Sequence, residues 1–240
     1  MGTLSSMKKL SVLAAAAALL ALAGCAASAP SPATFSDPDV KEILFGEAAQ
    51  ASLGELGFTA ERNTLATAPV ATYLANVASG DVIDPERCAE SARPLLLSGR
   101  DADSTDPFYE LPTLIAGSSV VTVQARLFAD DATAAAFLDD FHAAVAACPQ
   151  FTDTQASDAQ GADTVGVAVA VSDPDPDGRG FFIDTVAGTP EAARSFRTYI
   201  VRQGNLAFAV RGAATTDADD ALLVGTSSAL YARATEVGAP

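Results

Sequence analysis

The sequence predicts an α+β protein: a mainly antiparallel sheet, helices packed on one face of it, and one disulfide. Two observations favour this class. Several segments of alternating hydrophobicity follow one another in the second half of the chain, and segments of helical period stand before, between and after them. Strands joined by short turns pair antiparallel, because parallel neighbours need a long crossover.

The first expected elements are helical. Asp39–Leu56 carries apolar residues at helical spacing, but its two glycines weaken the pattern, so we expect one imperfect helix or two short ones. An extended segment and a short helix are expected over 64–78. Asp84 is expected to cap a helix that carries Cys88, with Pro85 at its first position, where the missing N–H costs little.

In Ser119–Phe128 apolar and polar residues alternate, which predicts a half-buried strand. One face carries apolar side chains, namely Val121, Val123, Ala125 and Leu127. The other face carries polar ones, namely Thr122, Gln124 and Arg126. Asp130–Ala147 then predicts a helix, because two acids at its start favour the helix N-terminus and Pro149 ends it.

The second half of the chain predicts four strands and a last helix. The strands are expected at 164–171, 180–186, 196–203 and 206–211. Gly204-Asn205 between the last two is a hairpin turn of the expected composition. The helix is expected from Asp217 to Glu236, with an acidic cap formed by Asp217, Asp219 and Asp220.

The charge balance argues against two classes of partner, nucleic acids and anionic lipid headgroups. The chain has 14 basic and 30 acidic residues and a net charge of −16. Nucleic-acid binding needs a basic footprint, and so does binding to anionic lipid headgroups. The acids are scattered along the chain, which is typical of a solvated surface.

The N-terminus predicts export and lipidation. Lys8 and Lys9 precede an apolar run, Leu10–Leu22, too short to span a bilayer. Leu22-Ala23-Gly24-Cys25 resembles the lipobox of bacterial lipoproteins. The resemblance implies a diacylglycerol on the thiol of Cys25, cleavage before this residue, and further acylation of the new N-terminus, with palmitate as an acyl group. We therefore expect a signal peptide at 1–24, a flexible lipidated tether at 25–37 and one α+β domain at 38–240, on the outer face of the cytoplasmic membrane.

The remaining cysteines, Cys88 and Cys148, indicate one structural disulfide, since such bonds persist outside the cytoplasm. The chain-entropy model gives about 4 kcal/mol of stabilisation for a loop of about 60 residues. The alternatives are a zinc site and two free thiols. Only His142 could join the thiols as a nitrogen ligand, which is too few for a tetrahedral site.

No motif predicts catalysis. The single histidine, His142, falls toward the polar flank of its helix, and the sequence has no Gly-x-Ser-x-Gly elbow, Walker loop, dinucleotide fingerprint or HExxH. We therefore expect neither an enzyme nor a cofactor. One weak exception is a calcium loop, whose spacing is matched by Asp173, Asp175, Asp177 and Asp184. The alternative is an acidic hairpin turn, in which Asp, Pro and Gly are the expected residues.

Four passages resemble one known family. They are Asp84-Pro85-Glu86-Arg87-Cys88, a strand ending Arg126-Leu127-Phe128, the helical stretch 132–138, and Ala146-Ala147-Cys148. Together they resemble the extracellular sensor domain of PknH-type receptor kinases and related lipoproteins of high-GC Gram-positive bacteria. The resemblance implies an antiparallel sheet with packed helices, a disulfide between these cysteines, and a cleft for an unidentified small ligand. Unlike that family, this chain has no tryptophan and no second cysteine pair.

Three functions follow as expectations. The first is a membrane-anchored, non-catalytic sensor or ligand-binding domain, whose pocket residues the sequence does not identify. The second is a surface module that contacts a membrane protein partner. The third is a carrier of hydrophobic cargo. In each of them the membrane is reached through the lipid anchor alone.

Overall fold

A computed structural model describes residues 33–58, 66–77, 82–92, 96–97, 103–116, 119–155, 163–172, 180–189 and 192–238. The strands are β1 (Ala66–Pro69), β2 (Val82–Asp84), β3 (Pro107–Ala116), β4 (Ser119–Leu127), β5 (Gln150–Gln155), β6 (Asp163–Ser172), β7 (Gly180–Gly188), β8 (Arg194–Gln203) and β9 (Leu206–Ala213). The helices are α1 (Asp37–Phe45), α2 (Glu47–Glu55), α3 (Val70–Val77), α4 (Ala89–Ala92), α5 (Asp131–Ala146) and α6 (Asp217–Val237), with a 3₁₀ turn at Glu86–Cys88 before α4.

The strands form one sheet in the order β1-β3-β4-β9-β8-β7-β6-β5-β2, and every pair in it is antiparallel. The α+β class and the antiparallel sheet are therefore confirmed. The turn between β8 and β9 has the two predicted residues, and Gly204 takes a φ of +56° that other residues rarely adopt.

Helix boundaries follow local signals. The first helical region is two short helices that meet at Gly46. Asp130 caps α5 by accepting a hydrogen bond from the Thr133 N–H at 2.7 Å. The cap of α6 differs from the expected acidic run, because Thr216 is the N-cap and Asp219 completes a capping box with it.

The cap expected at Asp84 is wrong. Asp84 is the last residue of β2, where it is paired with Thr152 of β5. The chain then enters the 3₁₀ turn, for which Pro85 is the N-cap without a side-chain hydrogen bond. Strand pairing therefore holds Asp84 in an extended conformation and moves the start of the helix onward.

The helices cover both faces of the sheet, and the expectation that they lie on one face is corrected. On one face, here called the α6 face, α1, α2 and α6 pack on side chains that include Leu206, Phe208 and Val210 of β9. On the other, the α5 face, α3 and α5 pack on side chains that include Ala207 and Ala209. A central strand with apolar residues at consecutive positions is typical of a sheet buried on both faces.

The predicted disulfide is confirmed. Cys88 and Cys148 are bonded, with their Cα atoms 5.5 Å apart, so the 3₁₀ turn is tied to the end of α5. Both cysteines are buried against Phe151. A zinc site and free thiols are thereby excluded for this pair.

The N-terminal segment joins the domain earlier than expected. Phe35 is 4% exposed, and its backbone N–H donates to Asn205 Oδ1 at 2.7 Å while its carbonyl accepts from Asn205 Nδ2 at 3.1 Å. The space where a Cβ of Gly204 would stand is occupied by the Ala33 carbonyl. Residues 33–37 therefore belong to the folded domain, and the rest of the predicted tether lies outside the described residues. None of the described helices is both long and apolar enough to cross a membrane.

Candidate functional site

Arg126 on the α5 face is the most deeply buried cation that the structure describes. It lies on β4 with a relative exposure of 2%. Its Nη2 is 2.8 Å from Asp106 Oδ2, and its Nη1 donates to the Leu96 carbonyl at 3.4 Å. A third contact runs from Nη2 to Ser104 Oγ at 3.4 Å. A buried charge is tolerated in this way, through an opposite charge and hydrogen bonds to its remaining protons.

Two aromatic rings enclose the same guanidinium. Its central carbon lies 4.5 Å from the ring centroid of Phe128 and 4.6 Å from that of Phe137, which is within the range of cation–π attraction. Phe137 comes from α5, so the helix and the strand share this cation. The polar requirements of Arg126 are therefore met inside the protein, which is typical of a residue that stabilises the fold.

On the α5 face, side chains become more exposed along the strands with increasing distance from Arg126. On β9, Ala207 and Ala209 are 0% and 1% exposed, but Arg211, the next residue on this face, is exposed. On β4, Gln124 follows Arg126 in the same direction and is half-buried. Among the described residues, the face thus has a covered half around Arg126 and a half around Arg211, here called the open half, in which Arg211 is exposed and its neighbour Thr198 is buried.

Gln124 has an unmet hydrogen-bonding requirement. Its Nε2 donates to Glu110 Oε2 of β3 at 2.9 Å, which orients the amide. The other amide atom, Oε1, is buried and has no hydrogen-bond partner in the ranges that the structure describes. Leaving a buried acceptor unpaired costs about 1–3 kcal/mol, so a donor from outside the chain would be stabilised there.

Arg211 places a positive charge on the same face of the sheet. Its guanidinium lies 4.7 Å from the ring centroid of Phe196 on β8, and within the described part of the chain it forms no ion pair. In the sheet it stands between Thr122 of β4 and Thr198 of β8, its partners in register. Three other arginines of the central sheet strands β4 and β8 each contact a carboxylate, namely Arg126, Arg197 and Arg202.

These residues form one polar patch, defined here as Glu110, Thr122, Gln124, Thr198 and Arg211. The register places Glu110 opposite Gln124, and Thr122 opposite Arg211. Gln124 and Arg211 are then diagonal neighbours, with Cα atoms about 7–8 Å apart. One side of the patch is a carboxylate and an amide oxygen, and the other side is a cation.

The residues that the sequence predicted as site residues lie outside this polar patch. Cys25 and three calcium-loop acids, Asp173, Asp175 and Asp177, lie outside the described residues. The fourth acid, Asp184, is described and lies on β7. The ranges that the structure covers contain no group of three or more histidine, cysteine or acidic side chains that could hold a metal ion.

Asp184 is engaged by an arginine. Arg197 Nε donates to Asp184 Oδ1 at 2.6 Å, and its Nη2 donates to Oδ2 at 3.2 Å. Its Nη1 donates to Asp220 of α6 at 2.5 Å. The hydrogen bond to Asp184 is the main reason that the pKa of Arg197 is raised. Both oxygens needed for a bidentate calcium ligand are thus occupied.

His142 is less exposed than its predicted position on the polar flank implied. It is half-buried on α5, and its ring meets the ring of Phe181 edge-on with centroids 4.9 Å apart. That contact is aromatic packing between a helix and the sheet.

The comparisons with known proteins concern the fold. No protein-family model matches the sequence, and no curated protein matches it. Among solved structures, the chain is similar to the extracellular domain of PknH from Mycobacterium tuberculosis, with a TM-score of 0.57, 11% identity, and coverage of 83% of this chain and 98% of that one. It is also similar, at a TM-score of 0.40 and 13% identity, to a putative uncharacterized protein (Rv0999 ortholog) from Mycobacterium smegmatis, covering 75% of this chain and 95% of that one.

The first of these likenesses shows a PknH-like fold. At 11% identity it shows no membership of a sequence family. The fold expected from the resemblance is thus confirmed, while the ligand expected from it stays a prediction.

Sequence reasoning missed the polar patch. The alternation in β4 assigned Gln124 and Arg126 to one polar face, but it gave no reason to separate the two residues. Arg211 appeared only as the last residue of a predicted strand. The patch is formed by the pairing of β4 with β9, which brings Arg211 close to Gln124. This is a contact between distant parts of the chain, and alternation does not reveal it.

Proposed function

We propose that this protein is a non-catalytic ligand-binding domain, held by lipid on Cys25 at the outer face of the cytoplasmic membrane. The proposal has an anchoring part and a binding part. They rest on different observations and need different experiments.

The anchoring part is supported by the lipobox-like sequence before Cys25 and by the Cys88–Cys148 bond. Disulfides form and persist in oxidising compartments, which agrees with export. The similar solved structure is titled as an extracellular domain, which agrees with the same location. Acyl chains on one cysteine hold a protein at a membrane without spanning it.

The binding part is carried by one observation, the unmet requirements of Gln124 Oε1 and Arg211 on the same face of the sheet. Polar groups that a fold leaves unpaired in a partly buried position indicate a ligand that pairs with them. The described histidine, His142, packs edge-on against the ring of Phe181, a contact typical of packing between a helix and a sheet. Recognition without catalysis is the function that agrees with both facts.

Lipidation is tested by labelling cells with an alkyne analogue of palmitate. The expected result is label on the wild-type chain, recovery of that chain in the membrane fraction, and loss of both for Cys25→Ala. Ser28→Ala is the control, because it changes a nearby residue of the predicted tether that carries no lipid in this account and leaves the disulfide intact. Label that survives in Cys25→Ala would contradict the anchor.

Ligand binding is tested by thermal unfolding against a panel of sugars, organic acids, amines and amino acids. A bound ligand raises the melting temperature, because it stabilises only the folded state. The expected result is a rise for at least one class with the wild-type chain and none with Gln124→Met, which keeps the length of the side chain and removes its amide. The binding proposal fails if no class raises the melting temperature, or if the variant responds like the wild type.

A further inference from the structure

The polar patch has two requirements of opposite sign. Among the residues that the structure describes, Arg211 has no carboxylate partner and Gln124 Oε1 has no hydrogen-bond donor. A ligand that meets only one of them leaves the other uncompensated. The ligand therefore carries a negative group at one end and a donor at the other.

Glu110 decides the charge of the donor end. Its carboxylate accepts from Gln124 Nε2 at 2.9 Å, so a negative charge lies beside the buried amide oxygen. A second anion there would be repelled, whereas an ammonium group could interact with Glu110 and donate to Gln124 Oε1. The donor end is thus cationic.

The charge of the whole protein favours the same ligand. With a net charge of −16, the surface repels free anions on approach. A zwitterion has no net charge and avoids this repulsion, while its carboxylate can still pair with Arg211 at short range. Guanidinium is also the cation best shaped for a carboxylate, which it binds through two parallel hydrogen bonds.

We infer that the patch binds a small amino acid-like zwitterion, with its carboxylate on Arg211 and its ammonium between Gln124 and Glu110. This inference rests on the proposed ligand-binding function and adds the class of ligand. The Cα atoms of Gln124 and Arg211 are about 7–8 Å apart as diagonal neighbours, and both side chains extend from the sheet, so the ligand is short.

The test is isothermal titration calorimetry of the purified full-length chain in detergent. The probes are glycine, β-alanine and γ-aminobutyrate, which separate the two charges by progressively longer chains. Acetate and methylammonium, which carry one charge each, are the comparison probes. We expect at least one zwitterion to bind about tenfold or more tightly than either single-charge probe, since each tenfold is about 1.4 kcal/mol.

Three variants test the assignment. Arg211→Gln should weaken binding of the zwitterion at least about tenfold, and Arg211→Lys should give an intermediate loss, because lysine keeps the charge without the paired hydrogen bonds. Arg87→Gln removes the same charge from an exposed residue of the 3₁₀ turn and should leave binding unchanged. Circular dichroism of each variant checks that the fold is retained.

The outcomes separate the two proposals. Acetate binding as tightly as the zwitterions, or Arg211→Gln binding like the wild type, would overturn the inference. The inference would also be overturned if only another class of compound raised the melting temperature in the thermal panel. In that case the proposed ligand-binding function would still hold. No binding by any class would overturn both.

Discussion

The two halves of the α5 face carry two arginines in contrasting surroundings. Arg126, in the covered half, has a carboxylate, a backbone carbonyl, a hydroxyl and two aromatic rings around its guanidinium. Arg211, in the open half, has one aromatic ring and no ion pair that the structure describes. A charge satisfied inside the protein stabilises the fold, whereas an unsatisfied one is available to bind something else.

The comparison predicts that substitutions in the two halves affect different properties of the protein. Changes in the covered half should lower the free energy of unfolding, and changes in the open half should lower ligand affinity. The predictions below test this separation, from the largest expected effect to the smallest.

The largest effect is expected from removing the disulfide at the end of α5. The double substitution Cys88→Ala and Cys148→Ala should lower the free energy of unfolding by about 4 kcal/mol, because a loop of about 60 residues is released in the unfolded chain. Urea unfolding monitored by circular dichroism measures it. A loss under about 1 kcal/mol would show that the bond contributes little to the covered half.

Arg126→Met should cost about 3 kcal/mol. Removing one partner of a buried ion pair leaves the other uncompensated, at about 3–5 kcal/mol, and the lower end applies because the Asp106 side chain keeps 25% exposure. Urea unfolding of the matched variant Arg211→Met should stay within about 0.5 kcal/mol of the wild type, as exposed substitutions usually do. Equal losses in the two variants would break the comparison.

Asn205 is a second buried polar residue whose needs are met internally. It is 3% exposed, and its amide also donates to the Phe128 carbonyl at 2.9 Å. Asn205→Leu should lower the free energy of unfolding by about 2 kcal/mol, because buried backbone groups of Phe35 and Phe128 lose their partners. Chemical denaturation measures it, with Asn205→Asp as the control.

The control keeps the acceptor for the Phe35 N–H and loses the two donated hydrogen bonds. Its own loss of stability separates the acceptor from the donors. If Asn205→Leu is as stable as the wild type, the N-terminal segment is not held by this residue.

The smallest effect concerns Asp219 at the start of α6, on the opposite face. Hydrogen bonds from Thr215, Ser119 and Thr216 lower the pKa of its carboxyl from 3.8 to about 2. A depressed carboxyl pKa contributes stability that is present above the ordinary value and is lost as the pH falls toward the folded value. The wild type should therefore lose stability between about pH 4 and pH 2, and Asp219→Asn should lose less.

Thermal unfolding at a series of acidic pH values measures this difference. Because Asp219 lies at the surface and is only half-buried, the change is expected to be small beside that of Arg126→Met. Identical pH profiles for the variant and the wild type would rule out a contribution from this carboxyl. Ligand binding at neutral pH should be the same in both.

Much of the fold follows from local patterns. The alternation in β4, the acidic start of α5 and the turn at Gly204-Asn205 are each encoded within a few residues, and the structure has all three. Three strands were missed: β2, whose last residue was expected to cap a helix, and β3 and β5, which were missed for local reasons. The register of β3 shifts between Leu111 and Leu114, which breaks its alternation, and β5 has a single strongly apolar residue, Phe151.

The candidate site could not be predicted because it depends on which strands are neighbours. Gln124 and Arg211 are far apart in the sequence and adjacent only through the pairing of β4 with β9. Arg126 and Gln124 have similar positions in the pattern of β4 and differ only in what α5 covers. Tertiary packing thus decides which polar residue is structural and which is open to a ligand.

The most direct test of this account is an NMR titration of the full-length chain in detergent with each of the three zwitterions, glycine, β-alanine and γ-aminobutyrate, followed through backbone amide chemical shifts. The account predicts shifts at Gln124, Thr198 and Arg211 that saturate together, with none at Arg126 or Asn205. Saturable shifts centred on the covered half, or no shifts on the α5 face at all, would contradict it.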